Sequence, residues 1–66
     1  MKLTVNGKPS EVKEPMTVAA FLVDCKLAHI RVAIELNGSV VPRSDFEKVM
    51  LKDGDSMEVV TLVGGG

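Results

Sequence analysis

Two Asn-Gly dipeptides constrain this chain more than any other feature, because each closes an alternating apolar run and supplies the two positive-φ residues of a type I′ hairpin turn. Met1, Leu3 and Val5 alternate with Lys2 and Thr4 ahead of Asn6-Gly7. Val32, Ile34 and Leu36 alternate with Arg31, Ala33 and Glu35 ahead of Asn37-Gly38. A period of two with one apolar side is that of a half-buried strand, so two hairpins are expected. The first returns through Ser10 and Val12 and is stopped by Pro15; the second returns through Ser39-Val40-Val41 and is stopped by Pro42.

Between the hairpins the period changes. Thr17 is placed to cap a helix whose apolar Val18, Phe21, Leu22 and Cys25 fall at i, i+3, i+4 and i+7, which predicts one helix over Val18 to Lys26. Ser44 is placed to cap a brief helical turn through Asp45, Phe46 and Glu47. Asp53-Gly54-Asp55 signals a turn, and Ser56 to Val63 is the last strand. The chain is therefore an α+β domain, a mixed sheet of four to five strands with one main helix packed across it. The first and last strands carry the densest apolar runs and are expected to form a parallel central pair. That order is the β-grasp, the ubiquitin-like roll. Eleven valines and two phenylalanines suit such a small sheet core.

At 66 residues the chain is expected to be one domain over 1–66, with a flexible glycine tail at 64–66. So short a chain has little room for a deep substrate cleft of its own, which favours a carrier or binding module over an enzyme. Eight basic against nine acidic residues give no excess for binding nucleic acid. One cysteine and one histidine, Cys25 and His29, make no metal-ligand cluster, so no bound cofactor or metal is expected. The charge-free stretch from Pro15 to Val23 is too short to cross a bilayer, and Met1 to Val5 lacks the apolar core of a signal peptide. A cytoplasmic, membrane-independent monomer is the expectation.

The chemistry concentrates at the end, Val63-Gly64-Gly65-Gly66. Three residues without side chains will be mobile and reach roughly 10 Å when extended, enough to thread a narrow slot. The reactive group they deliver is the α-carboxylate of Gly66, which can attack phosphorus but resists acyl transfer until activated. Adenylation on a partner enzyme would make an acyl adenylate open to a sulfur or amine nucleophile. A frayed end is the bland alternative.

Next to this tail, Met57, Val59 and Thr61 are expected to face the helix, leaving Glu58, Val60 and Leu62 outward as a docking surface, or as scattered surface residues. Asp53, Asp55 and Glu58 make this end acidic and suited to a basic partner, or simply a solvated turn without the spacing of a calcium loop. Cys25 on the apolar stripe is expected to be a buried small hydrophobe. His29 has no partner at a diagnostic spacing, and Arg31 and Arg43 are expected to be surface or salt-bridge residues.

Ala33-Ile34-Glu35-Leu36-Asn37-Gly38, Val41-Pro42-Arg43, Asp53-Gly54-Asp55 and the terminal Val63-Gly64-Gly65-Gly66 resemble the ThiS family, the sulfur carriers of thiazole (thiamine) biosynthesis, over essentially the whole chain. The resemblance implies that Gly66 is adenylated by an E1-like enzyme using ATP and magnesium. A cysteine-derived donor, such as a cysteine desulfurase, then makes it a thiocarboxylate, and the sulfur passes to thiazole synthase. By the same resemblance Gly65 shares the reactive end, Val63 and Gly64 lie in the threaded segment, and the apolar sheet face docks the partners. Gly64 departs from many relatives, which carry another residue there. A diglycine end is shared by ubiquitin and by the molybdopterin sulfur carrier, so a ubiquitin-like modifier or a molybdopterin or tRNA-type sulfur carrier is the alternative. A passive β-grasp interaction module is a third reading, in which Val60 and Leu62 matter and the tail does not.

Overall fold

The computed structural model describes residues 1–28 and 30–62; His29, Val63 and Gly64 to Gly66 lie outside them. Five strands form one sheet: β1 (Lys2–Val5), β2 (Lys8–Glu11), β3 (Val32–Leu36), β4 (Ser39–Val41) and β5 (Ser56–Thr61). The helix α1 (Val18–Asp24) follows β2, and a short 3-10 turn (Arg43–Asp45) follows β4. The spatial order is β2-β1-β5-β3-β4, with β1 and β5 parallel and the other pairs antiparallel.

Both hairpins turn on the expected dipeptides. Asn6 and Asn37 each sit at φ 52°, followed by Gly7 at 78° and Gly38 at 85°, the left-handed conformations a two-residue turn needs to match the strand twist. The parallel β1–β5 pair occupies the second and third places of the sheet, as the density of apolar residues implied.

Alternation then sorts the side chains. Leu3, Ile34, Val41 and Met57 are buried on the face that meets Val18, Phe21 and Leu22 of α1, and Phe46 and Leu51 close the same core. Burying a side chain of this size contributes about 1.5–3 kcal/mol, so these nine residues supply most of what holds so small a chain together.

At the start of α1 the backbone N–H groups of Val18, Ala19 and Ala20 have no i−4 partner in the helix, yet each is satisfied, and Phe21 makes the first helical bond. Val18 donates to the carbonyl of Val49 at 3.0 Å and Ala19 to that of Phe46 at 2.8 Å. Ala20 donates to Thr17 Oγ1 at 3.1 Å and Phe21 to the Thr17 carbonyl at 3.0 Å. Thr17 is thus the cap that its type and position predict, and the segment after the 3-10 turn completes the work.

The helix ends two residues earlier than the apolar stripe suggested. The Leu27 N–H returns to the Leu22 carbonyl at 2.8 Å, and that of Lys26 to Val23 at 2.9 Å, with Lys26 at φ 62°. This is the Schellman arrangement, normally built on glycine, here built on lysine at some conformational cost. Cys25 is consequently the C-cap and leaves the helical course. It is exposed, not buried as its i+7 position implied. A second difference concerns Ser44, which lies inside the 3-10 turn; Pro42 precedes that turn and no side chain caps it.

Candidate functional site

The site is built around β5. Its inward residue Met57 is buried and Val59 half-buried against α1, while Glu58 and Val60 face the opposite, open side of the sheet. Leu62 continues that alternation, and its N–H donates to the Arg31 carbonyl at 2.8 Å. Val60 is 56% exposed and Leu62 52%, as outward-facing residues should be. The chain then runs into Val63-Gly64-Gly65-Gly66, where the reactive glycine and threading residues anticipated from sequence all fall outside the described residues.

The pairing register adds residues that alternation alone could not place beside them. On the same face Ala33 lies across from Val60, Glu35 across from Glu58, and Val40 of β4 beside Glu35. Val40, 71% exposed, is the most open of the large apolar side chains there. The surface is therefore broader than Glu58, Val60 and Leu62. Glu35 and Val40 cannot be placed there from the alternation of β5, because pairing partners are set by register across strands, which a single sequence does not contain.

What holds β5 in place is a set of polar contacts from both hairpin turns. Asn6 Oδ1 accepts from the Val59 N–H at 2.8 Å, and Asn6 Nδ2 donates to the Val59 carbonyl at 3.2 Å, so this side chain pairs with the strand as a backbone would. From the other flank, Asn37 Oδ1 accepts from the Ser56 N–H at 2.9 Å and Asn37 Nδ2 donates to Asp55 Oδ1 at 2.9 Å. The two asparagines thus do more than tolerate positive φ. They fasten the central strand to both of its neighbours.

The Asp53-Gly54-Asp55 turn has the same office. Asp53 Oδ1 accepts from the Lys2 N–H at 2.7 Å, Asp55 Oδ2 from the Lys52 N–H at 2.8 Å, and Gly54, at φ 87°, donates to the Lys2 carbonyl at 2.7 Å. Two of the three acids considered for steering a basic partner are therefore engaged in the fold. Of the three, only Glu58 stands on the open sheet face.

Cys25 is the one cysteine of the chain. Partial burial, and then the neighbouring carboxylate of Asp24, push its thiol above the ordinary range, which lowers the thiolate fraction. Among the described residues no group of three or more His, Cys, Asp or Glu is placed to hold a metal ion, and no helix is long and apolar enough to cross a membrane. A surface concavity of about 260 Å³ lies between Lys2, Pro9, Ser10 and Glu11, on the β2 side of the sheet and away from the outer rows of β3 and β5.

A mixed five-stranded sheet with a parallel central pair and one helix across it defines a β-grasp domain of the ubiquitin-like kind. The ThiS family model matches residues 3–66 of this chain. The chain belongs to the ThiS family. It is similar to the crystal structure of a thiamine biosynthesis protein (ThiS) from Geobacter metallireducens, with 45% identity, a TM-score of 0.85 and 100% of each chain covered. It is 39% identical over all 66 residues to a thiazole synthase of Paramagnetospirillum magneticum, of which it spans 20%. It is also 32% identical to the uncharacterized protein ycf40 of Porphyra purpurea, covering all of this chain and 93% of that one.

Proposed function

We propose that this chain is a sulfur carrier for thiamine biosynthesis, a co-substrate of other enzymes and not itself a catalyst. The observation that carries the reading is full-length similarity to a ThiS thiamine biosynthesis protein, joined to a chain that ends Val63-Gly64-Gly65-Gly66 directly after the central strand. The similarity to thiazole synthases supports the same pathway.

The chemistry proceeds at the Gly66 carboxylate. A carboxylate oxygen attacks the α-phosphorus of ATP on an E1-like enzyme, with magnesium bound by that enzyme, and pyrophosphate leaves. The terminal sulfur of a donor persulfide, loaded by an enzyme such as a cysteine desulfurase, attacks the acyl carbon, and AMP departs with the electron pair of the C–O bond to leave an acyl disulfide. A second thiol then attacks the donor's sulfur in that disulfide, forming a disulfide with the donor and releasing the thiocarboxylate for thiazole synthase to consume. Gly64 and Gly65 let this end enter a narrow active site because they present no side chain to its walls, and Val63 joins them to the strand. Val60, Leu62 and Glu58 seat the partner, so that the reactive atom is positioned by a surface and not by the tail alone.

The test is the intact mass of the native-terminus protein from cells expressing active sulfur-transfer partners. The expected result is an oxygen-to-sulfur mass increase that survives Cys25→Ser and vanishes on deletion of Gly66. A sulfur adduct that is lost with Cys25→Ser refutes the assignment to the tail. A lysine-linked adduct through Gly66, with no thiocarboxylate, establishes the protein-modifier alternative instead.

A further inference from the structure

On the open face of the sheet, Glu35 of β3 lies directly across from Glu58 of β5. Opposed residues of an antiparallel pair hold their Cβ atoms about 4.5–5.5 Å apart, and like charges in that relation weaken the sheet. Nothing basic adjoins them in the register. Val40 stands beside Glu35, the row toward the chain end is Ala33 and Val60, and Thr4 and Ser56 are paired on the other side. Arg31, the base on the same side of β3, is four residues from Glu35, about 13 Å along the strand. Asp53 and Asp55 hold backbone N–H groups, whereas Glu35 and Glu58 are both exposed.

The geometry points to a receptor for an arginine side chain carried by a protein partner, its guanidinium lying between the Glu35 and Glu58 carboxylates and its methylene stem against Val40 and Val60. A guanidinium offers five donors in a planar fork and sheds water readily, so it can satisfy two carboxylates together; the lysine ammonium is a compact, more strongly hydrated charge. The apolar side chains around the pair accept the stem and exclude water, which strengthens the charged contacts. A calcium ion would need six to eight oxygens, and the frame here is aliphatic. The partner's arginine brings one opposite charge to both glutamates on docking. This inference deepens the docking role proposed above and rests on it for the partner's identity.

Two measurements test it. In the first, the isotope-labelled chain is titrated at low salt with acetyl-Leu-Arg-Leu-amide and with its lysine analogue, following backbone amide shifts. The arginine peptide is expected to move amides of Glu35, Val40, Glu58 and Val60 with at least threefold tighter binding than the lysine peptide, and the E35Q/E58Q variant to lose the response. Absence of such shifts, an equal response to lysine, or the same shifts on adding calcium chloride alone overturns the receptor.

In the second, the E1-like adenylating enzyme is titrated with the wild-type chain, E35Q/E58Q and Val60→Asp. The double variant is expected to bind about tenfold more weakly, with a shallower salt dependence and an unchanged or higher melting temperature. Unchanged affinity in E35Q/E58Q, with weakening in Val60→Asp, overturns the arginine contact and leaves the docking face standing. If the wild-type chain fails to bind the enzyme, the docking reading falls, and the peptide titration alone decides the receptor.

Discussion

Replacing Asn37 by alanine tests whether the hairpin asparagines serve the central strand or merely the turn. Asn37 makes two side-chain hydrogen bonds, to Ser56 and Asp55, and occupies φ 52°. Exposed bonds fall at the low end of the usual range, about 0.5–1 kcal/mol each. Alanine also bears the left-handed penalty of about 1–2 kcal/mol without the local support an asparagine side chain provides. Together these give a loss of about 2–4 kcal/mol, a large part of what a domain of this size possesses. For a chain of this length about 3 kcal/mol lowers the melting temperature by about 10–25 °C. Thermal and urea unfolding followed by circular dichroism measure it. Asn37→Gly separates the two contributions: it loses the same bonds but not the strain, and should unfold above Asn37→Ala. An alanine variant melting within 4 °C of wild type, a shift of about 1 kcal/mol or less, would refute the reasoning. So would a glycine variant that unfolds below the alanine one.

Lys26→Gly removes a side chain from the left-handed cap of α1 and should raise stability by about 0.5–1 kcal/mol, since the relief of about 1–2 kcal/mol exceeds the added freedom of the unfolded chain; an unchanged urea midpoint would contradict it. Val60→Asp changes an exposed position, so stability should move by less than about 1 kcal/mol while affinity for the adenylating partner falls by about tenfold or more, read by calorimetric titration. Because the fold raises the Cys25 pKa, the native thiol should react with iodoacetamide more slowly at pH 8 than the same thiol in denatured protein, and the gap should narrow as pH rises through the native value. The linked stability has the matching sign: it is fully present below the unfolded pKa and is lost as pH rises through the folded one.

Much of this molecule is legible because its signals are local. Met1 to Val5 and Arg31 to Leu36 alternate within one strand, the Asn-Gly pairs specify their own turns, and Thr17 caps the helix it precedes. The outward set of Glu58 and Val60 followed from the same period of two. Misplaced features depended on partners far away in sequence or on a substitute for the usual residue. The end of α1 was hidden because lysine holds the left-handed cap position where glycine is the signal, and Cys25 was carried onto the apolar stripe as a result. The engagement of Asp53 with Lys2 spans 51 residues, and the opposition of Glu35 to Glu58 needs the register of two strands separated by a helical turn and a hairpin. No local pattern records either.

The central place of β5 also orders events in time. Asn6 waits 53 residues for Val59, and β1 and β3 have no shared neighbour until β5 lies between them. Local hairpins can form early, but the sheet closes only when its most distant contacts do, and such closure is the slow step of a mixed topology. Until then the two hairpins and the helix have no completed core, because Met57 of β5 is fully buried within it.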